Sequence, residues 1–333
     1  MPNVNYEYRT LANLFGVAVG TTSCVAPPFN ALIAGGTPQN APWPWLTIAA
    51  ALIGRYPGPL WANNAEIQWR IATLRATAYT DGGGNLAATP LIGTVDPTEQ
   101  GVLTYSMASV MTAWLSMAVT QTLNFMHLSR YPGVITYNDT RRPDFISEAA
   151  PNTYQIWEAK GRVGGGAPAP MREGFLQAIA VTTLDPGTGP IPPNAYVCCL
   201  CRLSPAGTWD LKVTDPSALS ANPSDQAFRG KLYAEYYRPF KGLIDSMPAQ
   251  TASFANATFA VAAVPGVDVT IGIDQRISGW IDQYRREQIG PDQLADSIDS
   301  VVASGYPGQS DPTRVVVNRN GVYSAVGDSW LKL

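Results

Sequence analysis

The stretch Arg141-Arg142-Pro143-Asp144-Phe145-Ile146, followed by Tyr154-Gln155-Ile156-Trp157-Glu158-Ala159-Lys160-Gly161-Arg162, decides how this chain is read. It places an acid just after a strand-like run and a Glu-x-Lys at the end of a second strand. Successive side chains of a strand alternate between faces, so Glu158 and Lys160 point the same way. With that strand paired beside Asp144, two carboxylates and one ammonium converge on one point. Such a set can hold a hard divalent cation and a water beside a phosphodiester. Taken alone, Glu-x-Lys is a weak signal, and a solvent-facing salt bridge at a strand end is the bland alternative. The chain, however, has five lysines in 333 residues, and one sits here. Tyr154, Ile156, Trp157 and Ala159 are apolar on both faces, as in the central strand of a covered sheet. A charged pair there costs free energy unless it is solvated, paired or bound to a metal.

Outward from this stretch, residues 105–129 read as one long helix, with Met107, Val110, Met111, Trp114, Met117, Ala118 and Gln121 near helical spacing. Tyr131-Pro132-Gly133 breaks it, and Val134-Ile135-Thr136-Tyr137 reads as a β-branched strand. After the Glu-x-Lys strand and the Gly164-Gly165-Gly166 loop, residues 171–183 read as a helix carrying Phe175, Leu176 and Ile179. Tyr196-Val197-Cys198-Cys199-Leu200-Cys201 is an apolar strand, with a partner strand at residues 208–213. The order is helix, strand, acid, strand with Glu-x-Lys, helix, strand.

In that order and in its motifs the chain resembles the PD-(D/E)XK nuclease superfamily, the restriction-endonuclease-like fold. Pro143-Asp144 matches the first motif and Glu158-Ala159-Lys160 the second, within a matching segment of residues 105–213. The resemblance implies an α/β chain whose core is a mixed sheet flanked by helices, here with N-terminal and C-terminal α+β additions. It implies that Asp144 and Glu158 ligate Mg²⁺ or Mn²⁺, that Lys160 positions or activates the attacking water, and that Gln177 fills the place of a Gln many members carry on the following helix. Many members also carry an acid on the first helix. Residues 101–129 contain no Asp or Glu, and Glu99 is the nearby stand-in for a further metal ligand. Arg141, Arg142, Arg162 and Arg172 cluster around the motif in sequence and are the candidates for phosphate contact in DNA.

The chemistry follows from charge. Mg²⁺ takes oxygen ligands, keeps several waters, and needs only one or two protein carboxylates. It makes its bound water a better nucleophile and offsets charge on the phosphate oxygens. Lys160 adds a compact cation near the reacting centre. No histidine is required, and His127 is the only one, which argues against histidine-based nucleases and zinc hydrolases. His127 itself reads as a helix-end or core-edge residue. Some nucleases of the superfamily carry an iron–sulfur cluster, and Cys24, Cys198, Cys199 and Cys201 copy that tally. Cys198 and Cys199 are adjacent on a strand and point to opposite faces, so core packing in a reducing cytosol is the reading.

Charged residues make up 14% of the chain, against an average of about 25%. So little charge suggests that much of the surface faces a protein partner or another copy. The net charge of −3 does not advertise a nucleic-acid binder. Between Arg9 and Arg55 there is no charged residue at all. That segment, with Phe15, Phe29, Trp43 and Trp45, is expected to be buried beneath the core or against a partner. Prolines interrupt it below the roughly 20 residues of a membrane span, and no basic n-region opens the chain, so a cytoplasmic place is expected. Residues 227–244 read as a helix, and residues 258–264 and 267–273 as a hairpin. Residues 278–288 and those from Pro291 on read as helices, and Asn320-Gly321 as the turn of a last hairpin. The expected organisation is a low-charge N-terminal region at 1–100, a nuclease-like core at 101–245 and an accessory region at 246–333. The expected function is metal-dependent hydrolysis of DNA, with a bacterial defence or toxin role suggested by analogy. A different class stands beside it. Low charge, 28 prolines and 30 glycines also suit an assembly or virion-type structural protein, or a degenerate nuclease used as a scaffold.

Overall fold

The computed structural model describes residues 1–9, 39–55, 58–150, 153–214, 225–306 and 311–332. In chain order its elements are β1 (Asn3–Arg9), β2 (Gln39–Asn40), α1 (Trp43–Leu52), α2 (Leu60–Thr77), β3 (Ala78–Thr80), β4 (Leu86–Ala88), α3 (Leu91–Thr94) and α4 (Pro97–Trp114). Then come β5 (Asn124–His127), β6 (Val134–Tyr137), β7 (Phe145–Ala150), β8 (Thr153–Val163), α5 (Pro168–Ala178), β9 (Val181–Asp185), β10 (Ala195–Leu203), β11 (Trp209–Thr214) and α6 (Gln226–Asp245). The last are β12 (Gln250–Phe254), β13 (Ala257–Val264), β14 (Val269–Asp274), α7 (Gln275–Arg285), α8 (Pro291–Ser304), β15 (Val315–Val317) and β16 (Val322–Val326).

The main sheet is mixed, in the order β2-β1-β11-β10-β8-β7-β5. β8 and β10 run parallel, as do β1 and β11, while β5, β7 and β8 form an antiparallel series. Parallel neighbours need a crossover, and α5 supplies it between β8 and β10. Two glycines show how tightly the helices clasp this sheet. A Cβ at Gly161 of β8 would collide with the Thr104 carbonyl of α4, and one at Gly174 of α5 would collide with Cys198 Sγ of β10 and crowd the Lys160 stem. Lys160 and Gly161 are neighbours on one strand and point to opposite faces, so α4 and α5 cover opposite faces of the sheet.

A second, antiparallel sheet runs β12-β13-β14-β16-β15. α1 joins the two halves. It packs on α4 and on β16, and Thr47 Oγ1 lies 2.7 Å from Ser324 Oγ. One continuous cluster of buried side chains extends from Val4 to Trp330. Trp43 is buried and Trp45 partly so, while Phe15, Phe29 and Cys24 fall outside the described residues. Among the described residues no helix is long and apolar enough to cross a membrane.

Several local readings are corrected. Residues 105–129 are not one helix. α4 starts at Pro97, where Asp96 caps it by accepting from the backbone N–H of Thr98 (2.7 Å) and Glu99 (3.1 Å). It widens into a π-turn at Leu115–Val119 and stops, and Asn124–His127 then forms the edge strand β5 against β7. α4 is buried on almost every side beyond Thr104, so its apolar pattern has no polar face to mark an end. Residues 171–183 likewise split into α5 and β9. β6 pairs with β9 in a separate two-stranded sheet, so the strand before the acid is not part of the main sheet, and Asp144 instead leads directly into β7.

Candidate active site

The site arises where β7 and β8 part. β7 begins at Phe145, opposite Trp157, so from Glu158 onward β8 keeps β10 on one side and has no β7 residue on the other. Asp144 fills that gap. Its Oδ2 accepts the Ala159 N–H at 3.0 Å, and its carbonyl accepts the Leu128 N–H at 2.8 Å. Its Oδ1 accepts the Tyr105 hydroxyl of α4 at 2.6 Å. Asp144 is thus held by three segments before any ligand arrives.

On the face toward α5, Lys160 Nζ donates to Glu158 Oε1 and to Gln177 Oε1, both at 2.8 Å. Gln177 in turn donates from Nε2 to the Arg142 carbonyl at 2.6 Å. The two motif segments and α5 are therefore linked by one chain of hydrogen bonds. Glu158 is only 2% exposed, and its Oε2 is buried without a hydrogen-bond partner. Leaving a buried acceptor unpaired costs about 1–3 kcal/mol, more when it is charged.

The electrostatics follow from this packing. Burial, then the neighbouring Asp144 charge, pushes the Glu158 carboxyl up to about 9, with Lys160 opposing the shift. Burial also raises Asp144, although the Tyr105 and Ala159 donors pull it back. Burial would lower Lys160, but Glu158 outweighs it and the ammonium is held above its ordinary value. Two neighbouring carboxyls that resist ionising together are a site short of positive charge. Among the described residues no group of three or more His, Cys, Asp and Glu side chains could hold a metal. The unpaired Glu158 oxygen beside Asp144 nonetheless fits a hard cation of the Mg²⁺ kind, which needs only one or two carboxylates.

The other motif-derived residues are placed differently. Glu99 stands exposed in the first turn of α4 and is not brought to the carboxylate pair. Arg142 lies flat over the Tyr137 ring, 3.8 Å from its centroid, and Arg141 pairs with Asp139 at 3.5 Å. Arg162 and Arg172 are exposed at the end of β8 and on α5. His127 lies on β5, its Nδ1 2.8 Å from Ser129 Oγ and its ring edge-on to Phe145. Burial, with nearby arginines, drives it down to about 3, so the ring carries no charge at physiological pH. Cys198, Cys199 and Cys201 are free and buried, which is the core packing expected of them.

Two residues that the motifs do not contain complete the geometry. Tyr105 bridges Asp144 and Arg55, whose Nη2 donates to the Tyr105 oxygen at 3.0 Å. Nothing in the sequence connects Arg55 to residue 144; the only hint is that it ends the long uncharged run. No protein-family model, no curated protein and no solved structure matches this chain.

Proposed function

We propose that this protein is a metal-dependent nuclease with a restriction-endonuclease-like core, acting on the phosphodiester bonds of DNA. The observation that carries the reading is the buried pair Asp144 and Glu158 at the parting of β7 and β8, with Lys160 tied to it and Glu158 Oε2 unpaired. The order α4, β5, Asp144 at the start of β7, β8 with Glu-x-Lys, α5 and β10 supports it, with α4 and α5 on the two faces. Asp144 and Glu158 would hold Mg²⁺ or Mn²⁺, which supplies an activated water and charge neutralisation on the phosphate. Lys160, fixed by Gln177, presents its ammonium to the developing negative charge. Burial of the carboxylates keeps bulk water from screening these charges. Buried free thiols agree with a reducing cytoplasm, and a role in defence or intoxication would suit an enzyme of this class.

The test is incubation of the purified protein with plasmid and linear DNA, and with RNA, in Mg²⁺, Mn²⁺ or EDTA. Nicking or linearisation that requires the cation and is lost in Asp144→Ala is the expected result. A protein that binds no divalent ion and cuts no nucleic acid would instead be a scaffold of the structural class.

A further inference from the structure

Arg55 lies outside both motifs, yet it is held beside the carboxylates with care. Its backbone N–H donates to Glu66 Oε1 at 3.1 Å, and its carbonyl accepts the Ser129 hydroxyl at 3.3 Å. The guanidinium donates to Tyr105 and stands 3.9 Å from Asp144 Oδ1, with its side chain 49% exposed. A structural arginine–carboxylate pair closes to about 2.7–2.9 Å and is commonly bidentate. This one does neither, because Tyr105 takes the near Asp144 oxygen. Among the described residues only one of the five guanidinium N–H groups makes a hydrogen bond. The half-exposed fork therefore keeps donors available to a ligand.

The charges around Asp144 point to the missing partner. Lys160 reaches the carboxylates from the α5 face, and Arg55 reaches them from the α4 side through Tyr105. Were Asp144 and Glu158 to hold a divalent cation and so spend their charge on it, Lys160 and Arg55 would remain as positive charges on its two flanks, with Glu66 beside Arg55 and Glu173 beside Lys160 as the nearby acids. That arrangement takes an anion with several oxygens, and the planar fork of arginine matches phosphate better than an ammonium does.

We infer that Arg55 is the phosphate anchor of this site, gripping a backbone phosphate of the nucleic acid, and that Tyr105 is the positioning residue that holds Arg55 and Asp144 in register. The inference rests on the phosphodiesterase reading above. It goes beyond the motifs by adding a phosphate contact on the α4 side of Asp144.

The test is binding of a fluorescent DNA oligonucleotide, followed by anisotropy over a range of salt, with Ca²⁺ in place of Mg²⁺, alongside cleavage in Mg²⁺. Arg55→Gln should weaken binding about tenfold and lower the salt slope by about one phosphate contact. Arg55→Lys should bind with intermediate affinity and the wild-type slope, and thermal melts identify any variant that has merely unfolded. Tyr105→Phe should weaken binding less than Arg55→Gln, and the double variant should be no weaker than Arg55→Gln alone, because both act through one contact. If the wild type cleaves and Arg55→Gln binds within about twofold with an unchanged slope, the anchor is wrong and the nuclease reading survives. If the wild type binds, Arg55→Gln does not, and nothing is cleaved, the anchor stands and the nuclease reading falls. A wild type that binds no DNA overturns both.

Discussion

One hairpin carries a buried acid cluster at each end, and the two are built on opposite plans. At the turn end Glu148, fully buried in β7, receives Arg229 Nε at 2.8 Å on one oxygen and Asn124 Nδ2 at 2.9 Å on the other. Arg229 also donates to the Tyr233 hydroxyl at 3.0 Å and to Asp299 Oδ1 at 3.0 Å, so β5, β7, α6 and α8 meet in one network. Burial would lower Arg229, but Glu148 and Asp299 outweigh it and hold it above its ordinary value. At the open end Glu158 is buried as deeply, and one of its two oxygens has no hydrogen-bond partner. The satisfied cluster ties four elements together; the unsatisfied one leaves a buried oxygen for something to complete. Burial of an acid therefore says little about its role until its partners are counted.

The contrast breaks most sharply in activity. Asp144→Ala, Glu158→Ala and Lys160→Ala should each lower cleavage by about 10²–10³-fold or more, and Asp144→Ala should also cost about 1–3 kcal/mol of stability because it strands the Tyr105 hydroxyl and the Ala159 N–H. Calorimetry with Mg²⁺ should show the two carboxylate variants losing the cation and the Lys160 variant keeping it. An active Lys160→Ala would retain the nuclease and remove the role assigned to that lysine.

The next largest effect belongs to the other end of the hairpin. Arg229→Met should cost about 3–5 kcal/mol in a urea titration, because it strands Glu148 without its ion partner. Adding Glu148→Leu should recover part of the loss. A cost below about 1 kcal/mol would mean the network is not what joins α6 and α8 to the sheet.

Stability against pH, measured in EDTA, sharpens the same comparison with opposite signs. The folded Glu158 carboxyl titrates near 9 and its ordinary value is 4.5, so the folded state binds the extra proton between them. Stability from this group is full below 4.5 and falls as pH rises toward 9, and Glu158→Gln should flatten that decline. Asp274 is the reverse case. Burial opposes its ionisation, but Arg276, at 2.7 Å, and the Tyr306 hydroxyl, at 2.9 Å, overcome it and hold the carboxyl below its usual 3.8. Its contribution is present above that value and is lost on further acidification, so Asp274→Asn should flatten only the acid limb. The smallest effect is expected at Glu99, where Glu99→Gln should change cleavage by less than about twofold, as at other exposed positions.

The contact between Glu158, Lys160 and Gln177 was legible because it is local in the required sense. A period of two fixes the Glu-x-Lys pair on one face, and an adjacent crossover helix brings the glutamine. The C-terminal hairpins were legible for a similar reason, with Pro265-Gly266 and Asn320-Gly321 marking turns that the structure places between β13 and β14 and between β15 and β16. Residues 120–129 were not legible. Phe125, Met126 and Leu128 suit a buried helix or a buried strand equally, and only packing against Phe145 and Trp157 decides for β5. The start of α4 was missed by eight residues, although Asp96-Pro97-Thr98-Glu99 carries the signal of a cap followed by a proline in the first turn. Tyr105 and Arg55 were out of reach, because their use depends on contacts separated by 39 and 50 residues.

The pairing of β1 with β11 sets a clock on assembly. Asn5 lies opposite Asp210, and Thr47 opposite Ser324 across 277 residues. A ribosome adding roughly 5–20 residues per second would leave β1 without its neighbour for on the order of 10–40 seconds. During that wait the β1 edge that will meet β11 is open to any other strand, and chains dominated by such distant contacts fold slowly. Expression temperature and chaperone supply should therefore govern the yield of native protein more strongly than they would for a chain whose neighbours are made in turn.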